Sequence, residues 1–180
     1  MIDLTAPIET YGVTQDITHM DLYYRGTVAP ASSLITECVL IDLTAGAAEV
    51  KLEGLPELNL VQPGGSVILK TSWERYRGTP EYDRSPSVDR KLIEELIGGG
   101  VVLILIDSPG VYGGKKGAEH SAMDKYLVNN GAFAVENLVN VVKLSKREFR
   151  LYCFPITMTS QNSAPCRVVA DHPSPPSERI

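Results

Sequence analysis

Residues 101–107 read Val-Val-Leu-Ile-Leu-Ile-Asp, and this stretch decides the fold. Its first six residues are all apolar. A strand with one wet face alternates polar and apolar side chains. An unbroken apolar run predicts instead a strand covered on both faces, as in parallel and mixed sheets that carry helices. The flanks agree. Upstream, Val88, Leu92, Ile93, Leu96 and Ile97 follow the helical period; Ser85-Pro86-Ser87 offers caps and a first-turn proline, and Gly98-Gly99-Gly100 ends the helix. Downstream, a second helix is expected roughly from Ala118 to Asn130, with Met123, Tyr126 and Leu127 on one side and Asn129-Asn130-Gly131 as its stop. A strand at 132–136 follows. Helix, buried strand, helix, strand is a βαβ-type order, so part of the sheet is expected to be parallel.

Working outward, further strands are expected at 37–44, at 66–71 after the turn Gln62-Pro63-Gly64-Gly65, at 148–156 and at 165–170. The class is mixed α/β in a single domain over residues 1–170. Residues 171–180, DHPSPPSERI, hold three prolines among serines and charges and are expected to form a flexible C-terminal tail.

Composition bounds the function. The 180 residues are 43% hydrophobic and 22% charged, enough to bury a core without disulfide or metal staples and too apolar for a disordered chain. Fifteen Gly and 12 Pro exclude a coiled coil. A net charge of −5 offers no basic face for nucleic acid. No apolar run approaches the roughly 20 residues of a membrane span, and the first residues, MIDLTAPIE, lack the basic and apolar regions of a secretory leader. Cys38, Cys153 and Cys166 are odd in number, widely spaced and without a CxxC, which fits core thiols in a reducing cytosol. A cytoplasmic protein is expected.

Three segments could carry chemistry. His19 and Asp21 are two apart, so on an extended chain they share a face, and Gln15 lies on that same face. Imidazole nitrogen and carboxylate oxygen together suit Zn²⁺ or Mn²⁺. His120 and Asp124 are spaced i, i+4 and share a helical face. Glu136 follows an apolar strand, where an unpaired carboxylate is costly. Solvated His–Asp pairs and a strand-end Glu in water have the same spacings. The stretch from Trp73 to Tyr82 leaves a strand with Trp73, Tyr76 and several charges, as loops lining sites do. Asp107-Ser108-Pro109-Gly110 ends the buried strand, where the Asp either faces a site or caps the turn. Gly113-Gly114-Lys115-Lys116-Gly117 lacks the spacing of a phosphate-binding loop.

Taken in order, ILKTSWERYRGTPEY (68–82), LILIDSPGV (103–111), EHSAMDKYLVNNGAFAVENLVNV (119–141) and FRLYCFPITMTSQNSAPCRVVA (149–170) resemble the cyclase family that includes bacterial kynurenine formamidases and isatin hydrolases. The resemblance runs from about Glu37 to Ala170. It implies a swivelling β/β/α fold with a mixed sheet, a homodimer or homotetramer, and hydrolysis of an amide-type bond with Mn²⁺ or Zn²⁺. The family's metal signature, H-x-G-T-H-x-D-x-P-x-H, lays its Thr, second His and Asp on Thr18, His19 and Asp21. The first His becomes Gln15, the Gly Ile17, the Pro Tyr23, and the last His, a proton carrier in the family, Arg25. The family's later pair, a His followed twelve residues on by Glu or Gln, lays on Asp124 and Glu136, with His120 one helical turn earlier.

The resemblance therefore implies metal ligands among His19, Asp21, His120, Glu136 and Gln15, with Asp124 or Glu136 as the base. Arg25 is expected to clamp a substrate carboxylate, with Trp73 and Tyr76 beside the substrate. The function expected is metal-dependent hydrolysis of a small amide, cyclic amide or lactone. The alternatives are a metal-independent cyclase or isomerase acting on a natural-product intermediate, and a non-catalytic ligand-binding relative.

Overall fold

The computed structural model describes residues 1–7, 17–44, 49–50, 55–113, 118–156 and 161–172. Along the chain lie β1 (Ile2–Asp3), β2 (His19–Asp21), β3 (Ile35–Asp42), β4 (Glu49–Val50), β5 (Ser66–Lys70), β6 (Ser87–Val88), α1 (Arg90–Gly98), β7 (Leu103–Ile106), α2 (Ala118–Asn129), β8 (Phe133–Glu136), β9 (Glu148–Pro155) and β10 (Ser163–Asp171). Seven strands form one mixed sheet in the order β10-β2-β8-β7-β5-β3-β9, and β9 pairs back onto β10. The sheet is thus a closed barrel, with β1 lying beyond β2 on the same edge of β10. The β3–β5, β5–β7 and β7–β8 pairs are parallel. β4 and β6 form a small separate pair.

All four residues of β7 are buried, and their alternation builds two cores. Leu103 and Leu105 join Met20, Ile68, Val135 and Leu151 inside the barrel. Ile104 and Ile106 face outward and meet Leu92, Ile93 and Leu96 of α1 and Met123 and Leu127 of α2. The chain needs an uninterrupted apolar run because both faces of this strand are dry, each such side chain contributing about 1.5–3 kcal/mol on burial. The expected mixed α/β class and the parallel segment around 101–107 match this architecture. Cys38, Cys153 and Cys166 are all buried in the barrel interior, and burial pushes the Cys38 thiol up to about 12.

Three expectations need correction. The first helix does not start at Ser85-Pro86-Ser87. Val88 is buried and its N–H donates to the Val111 carbonyl at 3.0 Å, which holds Ser87–Val88 extended. Asp89 caps the helix instead, accepting from the Lys91 N–H at 2.9 Å. The strand expected at 37–44 is shifted to Ile35–Asp42, its ends set by pairing with β9 and β5, and the one expected at 165–170 is extended to Ser163–Asp171 by pairing with β2 and β9. The last strand also runs into the segment expected as tail. Asp171 closes β10, and His172 is buried with its Nε2 accepting the N–H groups of Ser145 at 3.0 Å and Lys146 at 2.8 Å. Residues 173–180 lie outside the described residues. Among the described residues, no helix is long and apolar enough to cross a membrane.

Candidate metal centre

Strand alternation aims the site. Met20 points into the barrel, so its neighbours His19 and Asp21 point outward on β2. Val135 likewise points inward, and Glu136 outward. β2 and β8 are antiparallel with His19 directly opposite Glu136, which brings the imidazole Nε2 to 3.9 Å from Glu136 Oε2. The same Nε2 lies 3.4 Å from Asp21 Oδ1. Helix α2 packs over this corner through Met123 and Leu127, and its i, i+4 pair places His120 Nε2 at 3.5 Å from Asp124 Oδ2. Two groups of donor atoms result, His19–Asp21–Glu136 and Asp21–His120–Asp124, each with its atoms within 4.8 Å of one another. Asp21 belongs to both.

The loop after β7 completes the cluster. The Val111 N–H donates to Glu136 Oε1 at 3.2 Å. Gly110 is wedged against both ends of the site: a Cβ there would stand 3.0 Å from His120 Cε1 and 3.1 Å from Glu136 Oε1. Thr18, just before His19, donates its hydroxyl to the Asn137 carbonyl at 2.8 Å and accepts the Ala6 N–H at 2.7 Å. It ties the first ligand strand to the end of β8. With Ile17, Pro165 and Cys166, Thr18 also lines a groove of about 450 Å³.

The electrostatics call for a cation. The His19 ring Nδ1 lies 2.9 Å from the Ile17 carbonyl, which can only accept, so Nδ1 carries a proton. In the neutral ring the Nε2 lone pair then faces two carboxylates. Glu136 is 2% exposed; burial raises its pKa well above the carboxylate range, and the charges of Asp21 and Asp124 raise it further. Burial, and then the Asp21 charge, push Asp124 up to about 7. Asp21 Oδ2 and Asp124 Oδ1 are buried without a hydrogen-bond partner. Buried lone pairs without donors are costly unless a proton or a metal ion meets them. Two imidazoles and three carboxylates fit a divalent ion of the Mn²⁺ or Zn²⁺ type.

The structure therefore brings together His19, Asp21, His120, Asp124 and Glu136. Gln15 lies outside the described residues. Arg25 sits exposed on the turn after β2. Trp73 and Tyr76 stand half-buried on the turn after β5, ring centroids 4.7 Å apart, and are not members of the cluster. Asp107 ties down the residue just after β5, accepting both the N–H and the hydroxyl of Thr71 at 2.9 and 2.6 Å; burial raises its pKa to about 6. Sequence reasoning missed Gly110 and Val111 as parts of the site. The Pro-Gly step after an apolar strand was the only available signal.

The Cyclase family model matches residues 2–111. No curated protein sequence matches the chain. Among solved structures, one described as a potential metal-dependent hydrolase with cyclase activity is 20% identical, with 94% of this chain and 96% of that one covered and a TM-score of 0.72. Isatin hydrolase A from Labrenzia aggregata, bound to benzyl benzoate, is 18% identical over 94% and 92% of the two chains with a TM-score of 0.78. An isatin hydrolase bound to the product analogue thioisatinate is 19% identical over 86% and 70%, with a TM-score of 0.73. At these identities the likeness is one of fold. With the family model spanning more than half of its residues, the chain belongs to the cyclase family.

Proposed function

We propose that the protein is a metal-dependent hydrolase acting on the carbon–nitrogen or ester bond of a small amide, cyclic amide or lactone. The observation that carries this is the buried Glu136 facing His19 Nε2 at 3.9 Å, with Asp21 and Asp124 beside them and His120 as the second imidazole of the cluster. Such an arrangement is held together by a cation. His19, Asp21 and Glu136 would hold an ion on the sheet side, and Asp21, His120 and Asp124 on the helix side. When bound, the ion polarises a carbonyl and lowers the pKa of a water.

The chain's own groups do the rest. Asp124 Oδ1, buried without a hydrogen-bond partner, is assigned to accept a proton from the attacking water and return it to the leaving nitrogen or oxygen. The Val111 N–H fixes Glu136 Oε1, leaving Oε2 turned toward His19. Arg25 is assigned to a substrate carboxylate, and the Trp73–Tyr76 pair to an aromatic wall. A second copy of the chain is expected on the outer face of β3 and β9, where Ile35 and Phe154 are about half exposed and Ile156 just beyond them 66% exposed.

The test is elemental analysis of the purified protein together with turnover of a panel of cyclic amides, lactones and acyl amides. A bound transition metal that is lost in His19→Ala, and hydrolysis that goes with it, is the expected result. Failure to retain metal after Mn²⁺ or Zn²⁺ supplementation, with no turnover, overturns the reading.

A further inference from the structure

We propose that Tyr82 is a positioning residue for the metal centre, acting through Asn137 to aim the Glu136 carboxylate. This rests on the metal-centre reading above.

The residue after Glu136 is a joint between all the sheet-side parts of the site. Asn137 is fully buried and takes a left-handed backbone, φ 62°. Its N–H donates to the Ser108 carbonyl at 3.0 Å, which fixes the loop whose Gly110 touches Glu136 and His120. Its carbonyl accepts the Thr18 hydroxyl at 2.8 Å, which fixes the residue before His19. A small rotation at Asn137 therefore moves Glu136 against both His19 and Gly110. The carboxamide of Asn137 is what sets that rotation. Its Oδ1 accepts the Tyr82 hydroxyl at 3.0 Å, while its Nδ2 is buried without a hydrogen-bond partner. The phenol is the described anchor of this side chain.

Tyr82 is itself held from the loop side. It is 1% exposed yet belongs to neither apolar core. Its carbonyl accepts the Trp73 indole N–H at 2.9 Å, and Arg77 lies over its ring with the guanidinium centre 5.7 Å from the centroid. The loop that carries Trp73 and Tyr76 is thus joined to Glu136 by a short relay: Trp73 to Tyr82, Tyr82 to Asn137, Asn137 to the ligand. Partners that orient a ligand without touching the metal commonly change affinity by about 10–100-fold when removed.

The experiment titrates Mn²⁺ into the full-length chain and reads affinity by calorimetry and by the electron paramagnetic resonance signal of free Mn²⁺. Tyr82→Phe keeps the ring and deletes the hydroxyl. Asn137→Gly suits the left-handed backbone and deletes the acceptor, so it carries the same test if Tyr82→Phe does not fold. Leu151→Ala, a barrel-interior cavity variant, controls for general loss of stability. The expected result is an affinity loss of about tenfold in Tyr82→Phe and in Asn137→Gly, with Leu151→Ala unchanged. A loss smaller than about threefold in the tyrosine variant and its substitute, or an equal loss in Leu151→Ala, overturns the role of Tyr82 while leaving the metal centre standing. A wild-type chain that binds no Mn²⁺ or Zn²⁺ overturns the metal centre, and this inference with it.

Discussion

Asp124→Asn gives the sharpest test of the acid cluster, because it predicts a variant that folds better and works worse. Asp124 is 8% exposed, and burial followed by the charge of Asp21 raises its pKa from 3.8 to about 7. A carboxyl with a raised folded-state pKa takes up a proton on folding. Its contribution to stability is therefore favourable below the unfolded value and is lost as pH rises through about 7. At 1.36 kcal/mol per pKa unit, and discounted for partial solvent screening, the ionised Asp124 costs about 2–4 kcal/mol at pH 8. At pH 5 the cost falls to about 1 kcal/mol. The neutral amide escapes it at both values. Thermal unfolding in EDTA should show Asp124→Asn more stable than wild type, with the gap in Tm widening by roughly 5 °C between pH 5 and pH 8. Mn²⁺ at about 1,000 times its Kd should reverse the order at pH 8, since a ligand at that level contributes about 4.1 kcal/mol to the state that binds it. A metal-free variant less stable than wild type at pH 8, or a gap indifferent to pH, would refute the argument that burial and the Asp21 charge penalise the ionised Asp124.

Further outcomes are expected elsewhere. His19→Ala should lower Mn²⁺ affinity by at least about tenfold in calorimetry, since it removes the imidazole between Asp21 and Glu136. Gly110→Ala places a Cβ 3.0 Å from His120 and 3.1 Å from Glu136, so affinity should also fall about tenfold for a stability loss of only about 1 kcal/mol in urea unfolding. Arg25→Ala should raise KM for a carboxylate-bearing substrate and leave kcat within about twofold, a pattern read from steady-state kinetics. Phe154→Arg, on the exposed outer face of β9, should shift the sedimentation velocity profile toward monomer, with metal content unchanged.

How much of the site was legible follows from which geometry is local. The i, i+2 spacing of His19 and Asp21 and the i, i+4 spacing of His120 and Asp124 state which side chains share a face, because strand and helix periods are fixed by backbone sterics. Glu136 could be singled out because a carboxylate on an apolar strand needs a partner. None of this said that the three segments meet. That depends on β2 inserting between β10 and β8, a pairing of residues more than a hundred apart in sequence. Tyr82 and Asn137 carried no local pattern at all, and their hydrogen bond exists only because the loop after β5 folds back over the ends of β7 and β8.

The sequence by itself determined the mixed sheet, the doubly covered strand at 101–107, the termination of the first helix at its glycines and the two His–Asp pairs whose members share a face. Periodicity and backbone propensity act over a few residues and are written directly in the chain. Tertiary structure alone decided that the sheet closes into a barrel, that Ser87–Val88 is extended, that His172 is buried and that Gly110 packs tightly against His120 and Glu136. Those outcomes come from burial and close approach between distant segments, which compete with local preference and override it wherever dry contacts or buried hydrogen bonds are at stake.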